Sequence, residues 1–325
     1  MNIKLNAETK KIILVNPRGF CAGVEYAIGI VEECLKFFKN QKIYILKEIV
    51  HNKGIVKDLE RKGAYSVQSI EQVPQNSVIV FSAHGVPPEF YQQAKERSLK
   101  IFDATCPLVK KVHLEAIKFA NQGYTIFYVG HQGHEETIGV LAEAPESIFL
   151  IENKQDAESI QTNNKKLAYL TQTTLSVSET KEIIKILKTR FPGLKAPPRE
   201  DICYATTNRQ KAVSELAKVC DLVFVLGSKN SSNSQRLRET SASFCSQAFL
   251  VDSKEQVDLN LIDDLVDKKS FSNFGITAGA SAPEKDVLEL VDFLKEYLSR
   301  KKYRVLVENL QVVKEEVSFR IPNFS

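Results

Sequence analysis

The sequence predicts an α/β protein of three similar modules with mainly parallel sheets, and two observations carry that prediction. Short β-branched runs alternate with helix-periodic segments along the chain, the pattern of strands joined by crossover helices. The strand exits also repeat. "KIILVNPRGFCAGVEYAIGIVEE", "LKIFDATCPLVKKVHLEAIKFA" and "REDICYATTNRQKAVSELAKV" each run strand, cysteine-bearing loop, helix, and they place Cys21, Cys106 and Cys203 at comparable points. A length of 325 residues exceeds one ordinary core, which agrees with several modules.

Taken in order, the first module (1–103) follows its Cys21 loop with exits at "IYILKEIVHNKG", carrying His51, and "VIVFSAHGVPPE", carrying His84. The second (104–200) opens on "DATCP", where Leu108, Val112, Ala116 and Phe119 repeat at helix spacing after Cys106. Its later exits are "YTIFYVGHQGHEE", with His131, His134 and Glu136, and "LAYLTQTTLS", with Thr171, Thr173 and Thr174. The third (201–325) begins near the breaker-rich "FPGLKAPPRE" and offers Cys203, then Ser231, Ser232 and Asn233 in "LVFVLGSKNSSNSQ", Ser281 in "FGITAGASAPEKD", and a tail. Ligands of parallel sheets bind at the carboxyl ends of the strands. A pseudo-threefold trefoil of the modules would therefore bring nine loops to one centre.

Composition narrows the class. Hydrophobic residues at 43% and charged residues at 26% fit a globular protein rather than a disordered one. A net charge of +4, without a Lys/Arg run interleaved with aromatics, argues against nucleic acid and suits a small anion. The N-terminus lacks a signal-peptide core and no apolar run is long enough for a bilayer, so a cytoplasmic protein without a membrane partner is expected. In a reducing compartment the six cysteines are packing, metal-binding or reactive groups rather than disulfides. Cys34, Cys220 and Cys245 continue apolar faces or lie in a linking segment and are expected to be core or incidental.

Each polar loop has a plain structural reading, as a helix cap or a satisfied histidine. Four of the five histidines at strand exits make that reading strained, whereas His113 is expected on a helix. "GSKNSSNSQRL" supplies short donors and free amides at a helix start, which suits an oxyanion, although it lacks the P-loop order. "HQGHEE" brings His131, His134 and Glu136 close in sequence but matches no strong zinc motif. Three convergent thiolates are one short of the usual closed set. A [4Fe-4S] cluster held by three would leave one iron open, suited to reductive removal of a hydroxyl; spacing alone does not separate this from a Cys₃ zinc site.

"GFCAGV", "EIVHN", "SAHG", "DATCP", "GHEE", "TQTTLS", "GSKNSSNS" and "TAGASAP", in this order, closely resemble the 4-hydroxy-3-methylbut-2-enyl diphosphate reductase (LytB) family of the non-mevalonate isoprenoid pathway, from about Val15 to Pro322. The resemblance implies a trefoil of three α/β modules around a [4Fe-4S] cluster held by Cys21, Cys106 and Cys203. It implies reductive dehydroxylation of the (E)-allylic diphosphate to isopentenyl and dimethylallyl diphosphates. By resemblance, His51, His84, Ser231, Ser232, Asn233 and Ser281 hold the diphosphate. His134, Glu136 and Thr173 handle the hydroxyl end, with Glu136 as proton source. Many members have proline where this chain has Glu135, whose side chain is expected to point away from its neighbour, as in an extended loop. No G-x-G-x-x-G is present, so electrons are expected from a ferredoxin- or flavodoxin-type protein. Two other readings remain: a cluster-based redox sensor or electron carrier, and a zinc-dependent hydrolase of a phosphorylated metabolite.

Overall fold

The computed structural model describes residues 8–269 and 271–324. Of the N-terminal lead "MNIKLNAETK", in which the sequence shows no motif, residues 1–7 lie outside the described residues. The chain runs β1 (Thr9–Asn16), α1 (Ala22–Phe37), β2 (Ile43–Leu46), α2 (Lys53–Lys62), β3 (Ala64–Val67), β4 (Val78–Phe81), α3 (Pro88–Glu96) and β5 (Lys100–Asp103). It continues through α4 (Pro107–Asn121), β6 (Thr125–Val129), α5 (Glu135–Leu141), β7 (Ile148–Ile151), α6 (Lys154–Ser159), β8 (Leu167–Thr171) and α7 (Val177–Arg190). The last part holds α8 (Tyr204–Val219), β9 (Leu222–Leu226), α9 (Ser232–Ala242), β10 (Gln247–Val251), α10 (Leu259–Lys269), β11 (Asn273–Ala278), α11 (Glu284–Arg300) and β12 (Arg304–Gln311).

The class is α/β, as the sequence predicts, with three sheets whose strands are all parallel in their pairings. Strands β4, β6, β8 and β9 are buried at every position. That is why they read as continuous apolar runs rather than alternating ones.

Two compact units are present. The first comprises Met1–Cys21 and Ala205–Glu316 and holds the five-stranded sheet β10-β9-β11-β1-β12. Helix α11 covers it with Val287, Leu290, Val291, Leu294 and Leu298, apolar at three- and four-residue spacing. The second comprises Ala22–Tyr204 and Val317–Ser325 and holds the sheets β3-β2-β4-β5 and β7-β6-β8. The C-terminal tail packs on this unit: Phe319 meets Tyr26 edge-on and Phe324 leans on Phe102.

The expected division at 1–103 differs from this at its first strand. β1 pairs with β12 along its whole length and with β11 over Lys11–Leu14, so residues 9–21 lie with the C-terminal unit. A strand's own residues specify that it extends, and its partners are set by long-range packing.

Candidate functional site

In the second unit the loops at strand ends are tied to one another. The Ala83 N–H donates to the Ile49 carbonyl at 3.1 Å, which joins the His84 loop to the His51 loop. The Cys106 N–H donates to the Ala83 carbonyl at 3.0 Å, and the Cys203 N–H to the Thr173 carbonyl at 3.0 Å. Gly85, at φ +80°, makes the turn after His84, and a side chain there would collide with the imidazole of His113. His113 lies on α4, as expected, with Nδ1 2.7 Å from Glu143.

The first of these ties brings His51 to His84, and His134 lies against both. The His51 and His84 rings stack with centroids 4.1 Å apart, and His134 meets each edge-on at 5.8 and 6.1 Å. His134 caps α5, its Nδ1 accepting from the Glu136 N–H at 3.2 Å. Burial, reinforced by the neighbouring His84 and His51, pushes the His134 pKa down to about 3. Burial and then His84 likewise lower His51. His84 is raised: burial opposes its charge, but Glu135, with Glu136 and Glu48 beyond it, outweighs that cost.

Glu136 is only 3% exposed. Its carboxyl accepts the Thr173 N–H at 2.9 Å and the Thr173 hydroxyl at 2.9 to 3.0 Å. Burial raises its pKa despite these donors and the nearby histidines. Glu135 departs from expectation because it opens α5 rather than lying in an extended loop, and its Oε2 stands 2.8 Å from His84 Nδ1. Of the three threonines of the "TQTTLS" exit, Thr173 is bonded to Glu136. Thr171 donates to the Gln172 carbonyl and Thr174 accepts from the Gln172 side chain. His131, Glu136 and His134 do not form a metal-competent set among the described residues.

The first unit gathers the short donors. Ser231 caps α9, accepting from the Ser234 N–H, and Asn233 sits in the first turn. Asn233 Oδ1 accepts the Ala280 N–H at 2.9 Å, which ties this loop to the one bearing Ser281. Asn233 is 4% exposed, yet its Nδ2 has no hydrogen-bond partner. A buried amide donor left unmet costs about 1–3 kcal/mol, which an incoming acceptor would recover. Ser231 and Ser281 are buried beside it at 5% and 6% exposure. Ser232 opens the helix.

The three loop cysteines share one local setting. Cys21 directly precedes α1, Cys106 is the N-cap of α4 with Pro107 in its first turn, and Cys203 directly precedes α8. All three are half-buried and none is in a disulfide. Thiolates are the donor type that iron–sulfur clusters and zinc both take. At Cys34 and Cys220 burial pushes each thiol up to about 12, and Cys245 is raised for the same reason. These three are packing residues, as the sequence predicts.

Sequence reasoning missed two buried ions that hold these loops. Arg209, fully buried, donates to the Gly19 carbonyl at 2.7 and 3.0 Å and to the Phe20 carbonyl at 3.0 Å, immediately before Cys21, and pairs with Glu315 at 3.1 Å. Asp201, two residues before Cys203, accepts from the Thr171 N–H and from Lys111. Burial pushes the Asp201 pKa up to about 6 against the pull of Lys111. Both sit in the quoted "REDICYATTNRQ", where charge beside a cysteine loop was the available signal.

The family model described as "LytB protein" matches residues 12–295. The 4-hydroxy-3-methylbut-2-enyl diphosphate reductase of Ehrlichia ruminantium (strain Gardel) is 46% identical over 314 residues, spanning 96% of this chain and 92% of its own. That of Rhodopirellula baltica is 47% identical over 313 residues, spanning 96% and 94%. The solved structure of the E-1-hydroxy-2-methyl-but-2-enyl-4-diphosphate reductase from Plasmodium falciparum matches with a TM-score of 0.90 and 37% identity, covering 97% of this chain and 96% of that one. A second solved structure, (E)-4-hydroxy-3-methyl-but-2-enyl diphosphate reductase, the terminal enzyme of the non-mevalonate pathway, matches at 0.63 and 29% identity, covering 88% and 99%.

Proposed function

The chain belongs to the LytB family, and on that premise we propose that it reduces (E)-4-hydroxy-3-methylbut-2-enyl diphosphate to isopentenyl and dimethylallyl diphosphates. Two electrons and two protons are consumed, and the hydroxyl leaves as water. Cys21, Cys106 and Cys203 are assigned to a [4Fe-4S] cluster, which when bound supplies electrons and one iron open to an oxygen ligand.

The chain's own residues have separate tasks in this reading. Ser231, Ser232, Asn233 and Ser281 take diphosphate oxygens, the Asn233 amide meeting the acceptor it otherwise lacks. His84, whose charged form its carboxylate neighbours favour, faces the anion, and His51, whose neutral form burial favours, adds a ring N–H. His134 and Thr173 orient the hydroxyl end. Glu136, kept protonated by burial, gives its proton to the leaving oxygen, while Thr173 fixes the carboxyl. Reducing equivalents come from a ferredoxin- or flavodoxin-type protein.

The observation that supports this most directly is a buried, pKa-raised carboxyl held by one threonine beside three gathered histidines. Glu136→Gln keeps the size and hydrogen-bonding tip but holds no transferable proton. In a single-turnover assay with reduced enzyme, its conversion rate is expected to fall roughly 10²–10⁴-fold while the diphosphate still binds. Near-normal conversion by Glu136→Gln would remove the acid from this reading.

A further inference from the structure

We propose that Ser234 is a positioning residue for the anion site of the first unit, resting on the assignment of Ser231 to the diphosphate. Its buried hydroxyl fixes that of Ser231, so that Ser231 offers its own proton to a phosphate oxygen. Ser234 is the third residue of α9 and is fully buried. Its Oγ donates to Ser231 Oγ at 3.1 Å, and its N–H donates to the same oxygen at 3.4 Å.

A hydroxyl carries one hydrogen and two acceptor lone pairs. Both donors that meet Ser231 Oγ come from Ser234, so the capacity left to Ser231 is to donate. Among the described residues no acceptor takes that proton, whereas a phosphate oxygen is an acceptor. Accepting also makes Ser231 a better donor, because consecutive hydrogen bonds polarise one another.

The seat of Ser234 holds its hydroxyl in one direction. Gly227 follows β9 and Gly279 follows β11, and the Gly279 N–H joins the two strand ends by donating to the Leu226 carbonyl at 2.8 Å. A Cβ at Gly227 would stand 2.1 Å from Ser234 Oγ, and one at Gly279 would stand 2.0 Å from it. Both glycines therefore leave the room of a side chain to this one oxygen. At Gly279 that contact is what keeps alanine out, since its φ lies outside the left-handed region. On the same segment Asn233 Oδ1 accepts the Ala280 N–H, so neighbouring side chains of α9 hold Gly279 and Ala280, just before Ser281.

Inorganic pyrophosphate is the probe, titrated by calorimetry into the full chain purified anaerobically. Ser234→Ala keeps the backbone N–H and removes the hydroxyl, and it is expected to weaken binding roughly 2–10-fold, the loss of one neutral hydrogen bond. Gly279→Ala is the second variant: it keeps the hydroxyl in the chain but occupies its seat, and a loss of similar size is expected. A double-mutant cycle with Ser231→Ala separates positioning from a purely structural role. With the Ser231 hydroxyl gone, Ser234→Ala should change affinity by less than about twofold, because its effect passes through that hydroxyl. A residue needed only for the fold would weaken binding by the same factor in both backgrounds. Urea midpoints of the same variants record stability separately. Binding by either single variant as tight as wild type, or a loss that persists in the Ser231→Ala background, would overturn the role of Ser234 and leave the anion site standing. A wild-type chain that does not bind pyrophosphate would overturn the anion site and the role of Ser234 with it.

Discussion

His134 carries a pH consequence for the folded chain. The folded chain keeps its imidazole neutral down to about 3, whereas an unfolded histidine takes up a proton near 6.5. Its contribution to stability is therefore present above about pH 6.5 and is lost progressively as the pH falls below that. His51 acts in the same direction, and His84, raised, acts in the opposite one, its contribution fading as pH rises through its folded value. Urea midpoints between pH 7 and pH 5 are expected to fall for wild type and to fall less for His134→Gln. Equal slopes would show that His134 is not held neutral. Catalysis carries its own sign at Glu136: the acid must be protonated, so the rate of the chemical step should decline as pH rises through its raised pKa.

At the scale of elements, helix α9 separates a capping role from a binding role. Ser231 caps the helix through the Ser234 N–H, so Ser231→Ala should cost about 0.5–2 kcal/mol in stability as well as anion affinity. Asn233→Asp keeps the oxygen that accepts from Ala280 but replaces the unpartnered Nδ2 donor by a second oxygen. Pyrophosphate binding, measured by calorimetry, should weaken by about 1.5–3 kcal/mol or more with the fold intact. Unchanged affinity would mean that the orphan amide faces no anion. The sequence made this loop legible because a buried parallel strand, "LVFVL", ends abruptly in small polar residues. The orphan amide was not legible, because it depends on Ala280 occupying the other end of the side chain. In the same way the run "IILV" predicts the strand β1, but its partners β11 and β12 lie at the far end of the chain and no local signal names them. Glu135 was misplaced because the start of α5, capped by His134, turns it toward His84.

For the whole molecule, the account depends on what the three helix-start cysteines hold. The Cys21 and Cys203 loops are held by buried charges, and Arg209 is the clearest case: Arg209→Met would leave the Gly19 and Phe20 carbonyls without their donor and Glu315, which keeps the Asn208 amide, without its charge partner. Breaking a buried pair from one side costs about 3–5 kcal/mol, which denaturant unfolding should register. A change within error would show that the Cys21 loop does not need this anchor. The most direct test of the central claim is metal and labile-sulfide analysis of the anaerobically purified chain and its six single cysteine-to-serine variants. Iron with matching sulfide is expected in wild type. It should survive serine at Cys34, Cys220 or Cys245 and be lost with serine at Cys21, Cys106 or Cys203, because a harder, less readily deprotonated ligand holds iron poorly. Stoichiometric zinc without sulfide, or a cluster that survives all three loop substitutions, would contradict it.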